Sequence, residues 1–442
     1  MATRVDRPPT QAGVLILLLV GFLVPVCVSA QQAIIPLQLS FSDPGARSMG
    51  FGGAFVALAD DATAAFANPA GLVQLLRPEI SIEARSWNYS TPYTEGGRAE
   101  GLPSGLGIDS TVGLRTNTSD YDATALSFLS VAYPKDNWSL ALYRHVYANL
   151  EFYGETQGLF AGGSDCCYIR YYDQQMASQL DLVAYGLSGA YRVGDRFDIG
   201  LGVVYNDASL SASTTQYSSD EDTTESYFSP NSYLPSRTVT TQRQFVDDSD
   251  WTLSVGFLWR LSERLRFGGV YRQGAEVKVG TEETAGELID LGVPPGGVLY
   301  RATGIPIEFP DIYGFGIAYQ SPDCGLTVSF QWNRVEYSDI PASLELDDQT
   351  IDDADELHLG AEYIFLSSTP IIAVRLGTWL EPDHQMRATV DDPYTRALLQ
   401  PGDDEIHYSA GLGLATQRFQ VDLAMDFADR VDTFSLSAIY NF

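Results

Sequence analysis

From Glu79 to the C-terminus, apolar and polar residues alternate with a period of two, the mark of strands that present one apolar face. In the final segment Phe434, Leu436, Ala438, Tyr440 and Phe442 share one face, and Ser435, Ser437 and Asn441 the other, with Ile439 the exception. Just before it, Val421, Leu423, Met425 and Phe427 alternate with Asp422, Ala424, Asp426 and Ala428. Leu253, Val255, Phe257 and Trp259 form another apolar stripe, as do Tyr313, Phe315, Ile317 and Tyr319. The pattern predicts about fourteen strands, at 79–91, 123–133, 137–149, 180–192, 196–210, 250–260, 264–279, 308–320, 324–337, 355–366, 370–381, 405–416, 419–428 and 432–442. The first two alternate poorly. Most are long enough to cross a bilayer, which takes roughly 9–11 tilted residues.

The connections sort by length. Short ones fall at 134–137, 193–196, 261–263, 321–323, 367–369 and 416–418. Between them come long, polar, acidic ones at 92–122, 150–179, 211–249, 280–307, 338–354 and 382–404. The last connection, around Ala428–Asp432, is short on the long-loop side. Short turns on one rim and long loops on the other describe a membrane barrel. Lipid offers no hydrogen bonds, so a spanning sheet must close on itself. A soluble sandwich has no reason to sort its loops by parity, nor to put its Trp and Tyr on the outside. The expected fold is therefore all-β: a transmembrane antiparallel β-barrel of about 14 strands, residues 79–442, in the cell outer membrane.

Residues 31–78 are unlike any strand. They contain GARSMGFGGAFVALADDATAAFANPAGL, Gly45 to Leu72, rich in small residues and nearly uncharged after Ala62. A barrel of this size leaves room that its own side chains do not fill. Small residues let backbone pack closely in a confined space, and glycines permit tight bends. The segment is expected to plug the lumen. Asp60 and Asp61 are placed to cap a short helix over Ala62–Ala67, and Asn68-Pro69 to stop it. Within the barrel, pairing across the Ser368-Thr369 turn sets Glu362 opposite Arg375 on the inward face, as an ion pair that braces the wall or the plug, or as two solvated charges. Leu258, Ile364 and Trp379 also point inward by parity, as ligand path or plug contact.

This segment resembles the N-terminal hatch of the FadL/TodX-type outer-membrane transporters for hydrophobic compounds. The likeness rests on the Gly/Ala-rich lead, the step Ala59-Asp60-Asp61-Ala62 and the box Asn68-Pro69-Ala70-Gly71. It extends more weakly through SFQWNRVEYSD, DELHLGAEY, AVRLGTWLEPDH and the terminal Phe442. The resemblance implies a hatch, moved through Asn68, Pro69 and Ala70, and passive uptake of long-chain fatty acids, hydrocarbons or aromatics with lateral exit into the bilayer. A similar box occurs in PorV-like barrels that serve protein secretion and surface attachment, and this is the alternative.

The ends and the composition narrow the rest. Residues 1–30 read as a signal peptide: Arg4 and Arg7, an apolar run from Gly13 to Val28, and small residues at Val28-Ser29-Ala30. The net charge of −31 becomes −32 without them, 24 basic against 56 acidic side chains. Such a surface repels nucleic acid and disfavours the approach of fatty-acid anions, but not of neutral hydrocarbons. Cys166, Cys167 and Cys324 are too few for a disulfide scaffold. His145, His358, His384 and His407 are scattered and read as surface or lumen residues, not as metal ligands. Asp220-Glu221-Asp222 reads as a calcium ligand run or a solvated loop. No G-x-S-x-G, Walker loop or H-E-x-x-H appears, so no catalysis and no cofactor are expected. The expected partners are a hydrophobic small molecule and the surrounding lipid and lipopolysaccharide, with the chain a monomer.

Overall fold

The computed structural model describes residues 41–101, 113–162, 168–218, 233–288, 292–321, 323–344 and 348–442. Residues 1–30, Gln31–Ser40 of the N-terminal segment, Cys166, Cys167 and the acidic run at 220–222 lie outside the described residues.

The alternation is realised as fourteen antiparallel strands: β1 (Glu79–Arg98), β2 (Gly113–Lys135), β3 (Trp138–Thr156), β4 (Asp173–Val193), β5 (Phe197–Tyr217), β6 (Thr238–Arg260), β7 (Leu265–Arg272 and Glu276–Ala285), β8 (Val298–Glu308 and Ile312–Ser321), β9 (Leu326–Val335), β10 (Ala354–Phe365), β11 (Ile371–Glu381), β12 (Glu405–Ala415), β13 (Phe419–Phe427) and β14 (Val431–Asn441). Each pairs with its neighbour in sequence. The register Glu79↔Asn441 to Tyr89↔Val431 joins β1 to β14 and closes the cylinder.

The faces are inverted relative to a soluble protein. Along β12 the inward positions Glu405, His407 and Ser409 are buried, while Ile406, Tyr408, Leu412 and Leu414 are exposed to the outside. Aromatic rings gather in two outward belts. Toward the short-turn rim stand Trp138 beside Tyr191 and Phe197 beside Trp259. Toward the other rim Tyr185, Tyr205 and Trp251 are cross-strand neighbours, with the Tyr205 and Trp251 rings 5.1 Å apart. On β5 the step from Phe197 to Tyr205 is about 26 Å along the strand, or about 20 Å in height at a tilt near 40°. That matches the apolar band of an outer-membrane barrel.

The strands extend farther than expected past the second belt. β2 begins at Gly113 rather than 123, β4 at Asp173 rather than 180, and β6 at Thr238 rather than 250. Above the lipid neither face has to be apolar, so the period-two signal fades while the backbone ladder continues. What remains of the long connections is partly folded: α3 (Asp339–Ser343), α4 (Pro393–Leu398) and a two-stranded sheet of Gln349–Thr350 with Arg387–Ala388. Tyr394 and Ala397 of α4 pack with Leu159 at the long-loop end of the barrel, its mouth.

Candidate functional site: the lumen, its N-terminal segment and the wall between β2 and β3

From Asp43 to Leu75 nearly every residue is buried. This stretch holds α1 (Ala46–Gly50), α2 (Ala64–Ala67) and a 3-10 turn, Pro69–Gln74. Phe51, Phe55, Leu58 and Leu72 form one apolar cluster with the inward wall residues Phe128, Tyr143, Ala184 and Val204. The segment therefore sits within the barrel, held close by glycines on both sides. A Cβ on Gly50 would come within 2.8 Å of the Gly411 Cα on β12. α2 starts later than expected, at Ala64, because neither Asp caps it. Asp61 accepts from the Thr63 backbone at 2.9 Å and from its hydroxyl at 2.5 Å, just ahead of the helix. Asp60 turns away to Arg47. Asn68 does end α2, with extended backbone.

Asn68 is completely buried. Its side-chain amide donates to Val56 O at 2.9 Å and to Phe257 O on β6 at 3.1 Å, and its oxygen accepts from Ala70 N at 3.2 Å. It thus ties the segment to itself and to the wall. The wall is bare where the box rests. A Cβ at Gly256 would lie 2.1 Å from Asn68 Oδ1, and one at Gly200 2.2 Å from Ala70 N. Gly71 is equally constrained, 2.0 Å from Ala59 O.

Charged side chains anchor the other end of the segment. Arg375 donates to Glu362 and to Asp422, each at 2.7 Å, all three buried. Asp422 is two strands from Arg375, and Gly413 on the strand between leaves the passage open. Glu362 also accepts two 3.3 Å bonds from Arg47, which holds Asp60 at 2.5 Å. The expected Glu362–Arg375 pair is therefore one link in a chain from β13 through β11 and β10 into the N-terminal segment. A second anchor was not foreseen. Glu83 and Arg85, two apart on β1 and thus on one face, are both buried. Glu83 accepts from Gly45 N at 2.9 Å, and Arg85 donates to Ser42 Oγ at 2.6 Å and Asp43 O at 3.0 Å. Arg272 on β7 meets Asp43 at 2.7 Å. Of the other inward positions, Leu258 is buried beneath the segment, Ile364 is half-buried near the short-turn rim, and Trp379 lies higher, between the rings of His358 and His407. All four histidines are buried in the interior.

The wall is not uniform. β2 and β3 pair only from Lys135↔Trp138 up to Phe128↔His145. Above that, β2 bonds only to β1 and β3 only to β4. The change coincides with two bulges, at Ser127 and at position 147. His145 bonds the Ser127 carbonyl at 3.2 Å, and Arg144 reaches from outside to the Leu126 carbonyl at 2.8 Å. Side chains bridge the strands again higher up, through Tyr121 to Asn149 at 3.2 Å and Ser119 to the Tyr153 backbone at 2.9 Å. Between lies a window about 13 Å long on β3, four residues from His145 to Asn149. Ala123, Val146 and Ala148 edge it, and Phe66 of α2 stacks edge-on to His145 at 4.6 Å just inside. Ala148 also belongs to an apolar lining of the upper lumen with Leu150, Leu182, Val246, Ile312 and Tyr337.

A closed cylinder with a lipid-facing apolar belt and a filled lumen defines an outer-membrane β-barrel. Residues 27–430 match the model of the outer membrane protein transport protein family (OMPP1/FadL/TodX), and the chain belongs to that family. Its place is the outer membrane, and its family is one of transport channels rather than enzymes. No curated protein matches the chain. Among solved structures it is similar to a FadL homologue of Pseudomonas aeruginosa, with 16% identity, TM-score 0.62, and 93% of this chain and 100% of that chain covered. It is also similar to the toluene transporter TbuX of Ralstonia pickettii, with 16% identity, TM-score 0.56, and coverage of 91% and 99%. For the toluene transporter TodX of P. putida the values are 13%, 0.54, and 91% and 99%. At these identities the likeness is one of fold. The family match and these structures do not support the PorV-like alternative.

Proposed function

We propose that the protein is a passive, monomeric channel for hydrophobic small molecules, with residues 1–30 a signal peptide and 31–78 a hatch. A ligand enters beneath the α4 mouth, partitions into the apolar upper lumen, and leaves sideways through the β2–β3 window into the lipid. Asn68, Pro69, Ala70 and Gly71 seat the hatch against Gly200 and Gly256, while Asp60 and Asp61 answer Arg47. The observation that carries this reading is the halted β2–β3 ladder, beside the buried apolar cluster that Ala148 joins. A polar solute has no reason to take that route, because the lipid side offers it no hydrogen bonds. The reading is tested by proteoliposome uptake of toluene and dodecane, with Ala148→Trp filling the window. The variant is expected to lose most of the uptake while still folding. Undiminished uptake refutes lateral exit.

A further inference from the structure

The four histidines are scattered along the sequence, but the fold sets one of them among carboxylates at the long-loop end of the lumen. Glu381, the last residue of β11, stands directly opposite Glu405, the first of β12, and Trp379 stands opposite His407. Glu381, Glu405 and His407 are buried, at 3%, 5% and 1% exposure. Like charges directly opposite on a sheet repel, and these two are also withdrawn from water. His407 Nε2 is 3.1 Å from a Glu381 oxygen. One ligand atom from each of Glu381, Glu405 and His407 can be chosen so that all three lie within 4.8 Å of one another. Ligands on one tetrahedral zinc, with bonds of about 2.0–2.1 Å, stand about 3.3 Å apart. The histidine and Glu381 already have that spacing, and Glu405 is a small side-chain movement away.

The surroundings hold these side chains as metal ligands are held. His407 Nδ1 meets Asp426 Oδ2 at 2.9 Å, so the imidazole can keep its proton there and turn the Nε2 lone pair to a cation. Trp379 stacks on the imidazole with ring centroids 3.8 Å apart, which fixes its plane. Glu405 accepts from Arg430 N at 3.2 Å and meets Arg430 Nε at 2.8 Å, the kind of outer contact that orients a ligating carboxylate. The charges fit as well. Glu381, Glu405 and Asp426 bring three negative charges, and an imidazolium at His407 with Arg430 supplies two positive ones, so one negative charge stays buried. A dication that displaces the Nε2 proton adds one positive charge and balances the five groups. An imidazole in the set favours zinc and its transition-metal neighbours over calcium and magnesium, which take oxygen ligands.

We propose that Glu381, Glu405 and His407 bind a zinc-class dication, with water as the fourth ligand and with Asp426 and Arg430 as positioning residues. The site stands apart from whatever the lumen carries. The test uses the full chain in amphipol, stripped with a chelator and titrated with Zn²⁺ by calorimetry, followed by X-ray absorption of the loaded protein. About one Zn²⁺ per chain is expected, with nitrogen and oxygen ligands at about 2.0–2.1 Å and the scattering pattern of an imidazole. His407→Gln removes a ligand and should weaken binding by about a hundredfold or more. Asp426→Asn keeps the shape but takes the charge from behind Nδ1, and should weaken it by about 10–100-fold. His384→Gln, at another buried histidine, should bind as the parent does. Undiminished binding in His407→Gln, equal loss in His384→Gln, sulfur ligation at about 2.3 Å, or Ca²⁺ bound as tightly as Zn²⁺ overturns the inference, and so does the absence of binding, which leaves His407 an imidazolium bridge between Glu381 and Asp426. Heat-dependent migration on SDS gels confirms that each variant is a folded barrel.

Discussion

Gly256→Ala strikes the proposed hatch from the wall side, without altering a residue of the N-terminal segment. The added Cβ would stand 2.1 Å from Asn68 Oδ1 and 3.1 Å from Pro69 Cδ, where ordinary contact begins near 3.4 Å. Asn68 must retreat by about 1.3 Å, the difference between those two distances. It cannot do so in place, because it is fully buried and bonded to Val56, Phe257 and Ala70. Overpacking of this kind costs about 1–3 kcal/mol, and the two wall- and segment-directed amide bonds add about 1 kcal/mol each if lost. A sum of about 3–5 kcal/mol shifts the ratio of seated to unseated hatch by at least about a hundredfold. The barrel itself is spared, since the β5–β6 ladder bonds do not involve a side chain. The assay is conductance in planar bilayers beside heat-modified migration. The expected result is a folded barrel with frequent openings. Gly189→Ala is the control: its Cβ faces outward and meets only Leu140 Cδ2 at 3.1 Å and Ser139 O at 3.8 Å, so it should stay closed. A quiet Gly256→Ala channel, as closed as the control, would refute the idea that the Asn68 box seats the hatch on β5 and β6.

Arg375→Ala should also raise the leak current, because it leaves Glu362 and Asp422 buried without their shared cation, a change that typically costs 3–5 kcal/mol; an unaltered current would reduce the network to wall chemistry with no bearing on the hatch. Placement in the bilayer can be read from the two belts. Trp251 and Trp259 should both be quenched more by lipids brominated near the headgroup than by lipids brominated at the chain end, since interfacial aromatics sit at that depth; stronger quenching from the chain end would move the membrane band off the belts.

What the sequence made legible follows from where lipid imposes a rule. At the level of the lipid, each residue of β6, β12 and β14 faces either the apolar band or the interior, so Leu253 to Trp259 and Phe434 to Phe442 announce their faces directly. Parity alone assigns Glu362, Arg375, Leu258 and Trp379 to the inward side, because a strand fixes side-chain direction without any knowledge of partners. Beyond the belts that rule lapses, and the upper halves of β2, β4 and β6 read as loop although their backbones are paired. The window was hidden for a related reason. It arises from ladder bonds that stop and from one-residue bulges, and a bulge leaves little compositional trace beyond a broken alternation, which the first strands did show. The anchors were half visible. Glu83 and Arg85, at i and i+2 in an alternating strand, must share a face, and two charges on an inward face of an otherwise filled lumen call for a partner inside it. Arg47, isolated in a segment of small residues, is the matching clue from the hatch side, where a cation with no charged neighbour in sequence is bound to seek Asp60 and Glu362 in space.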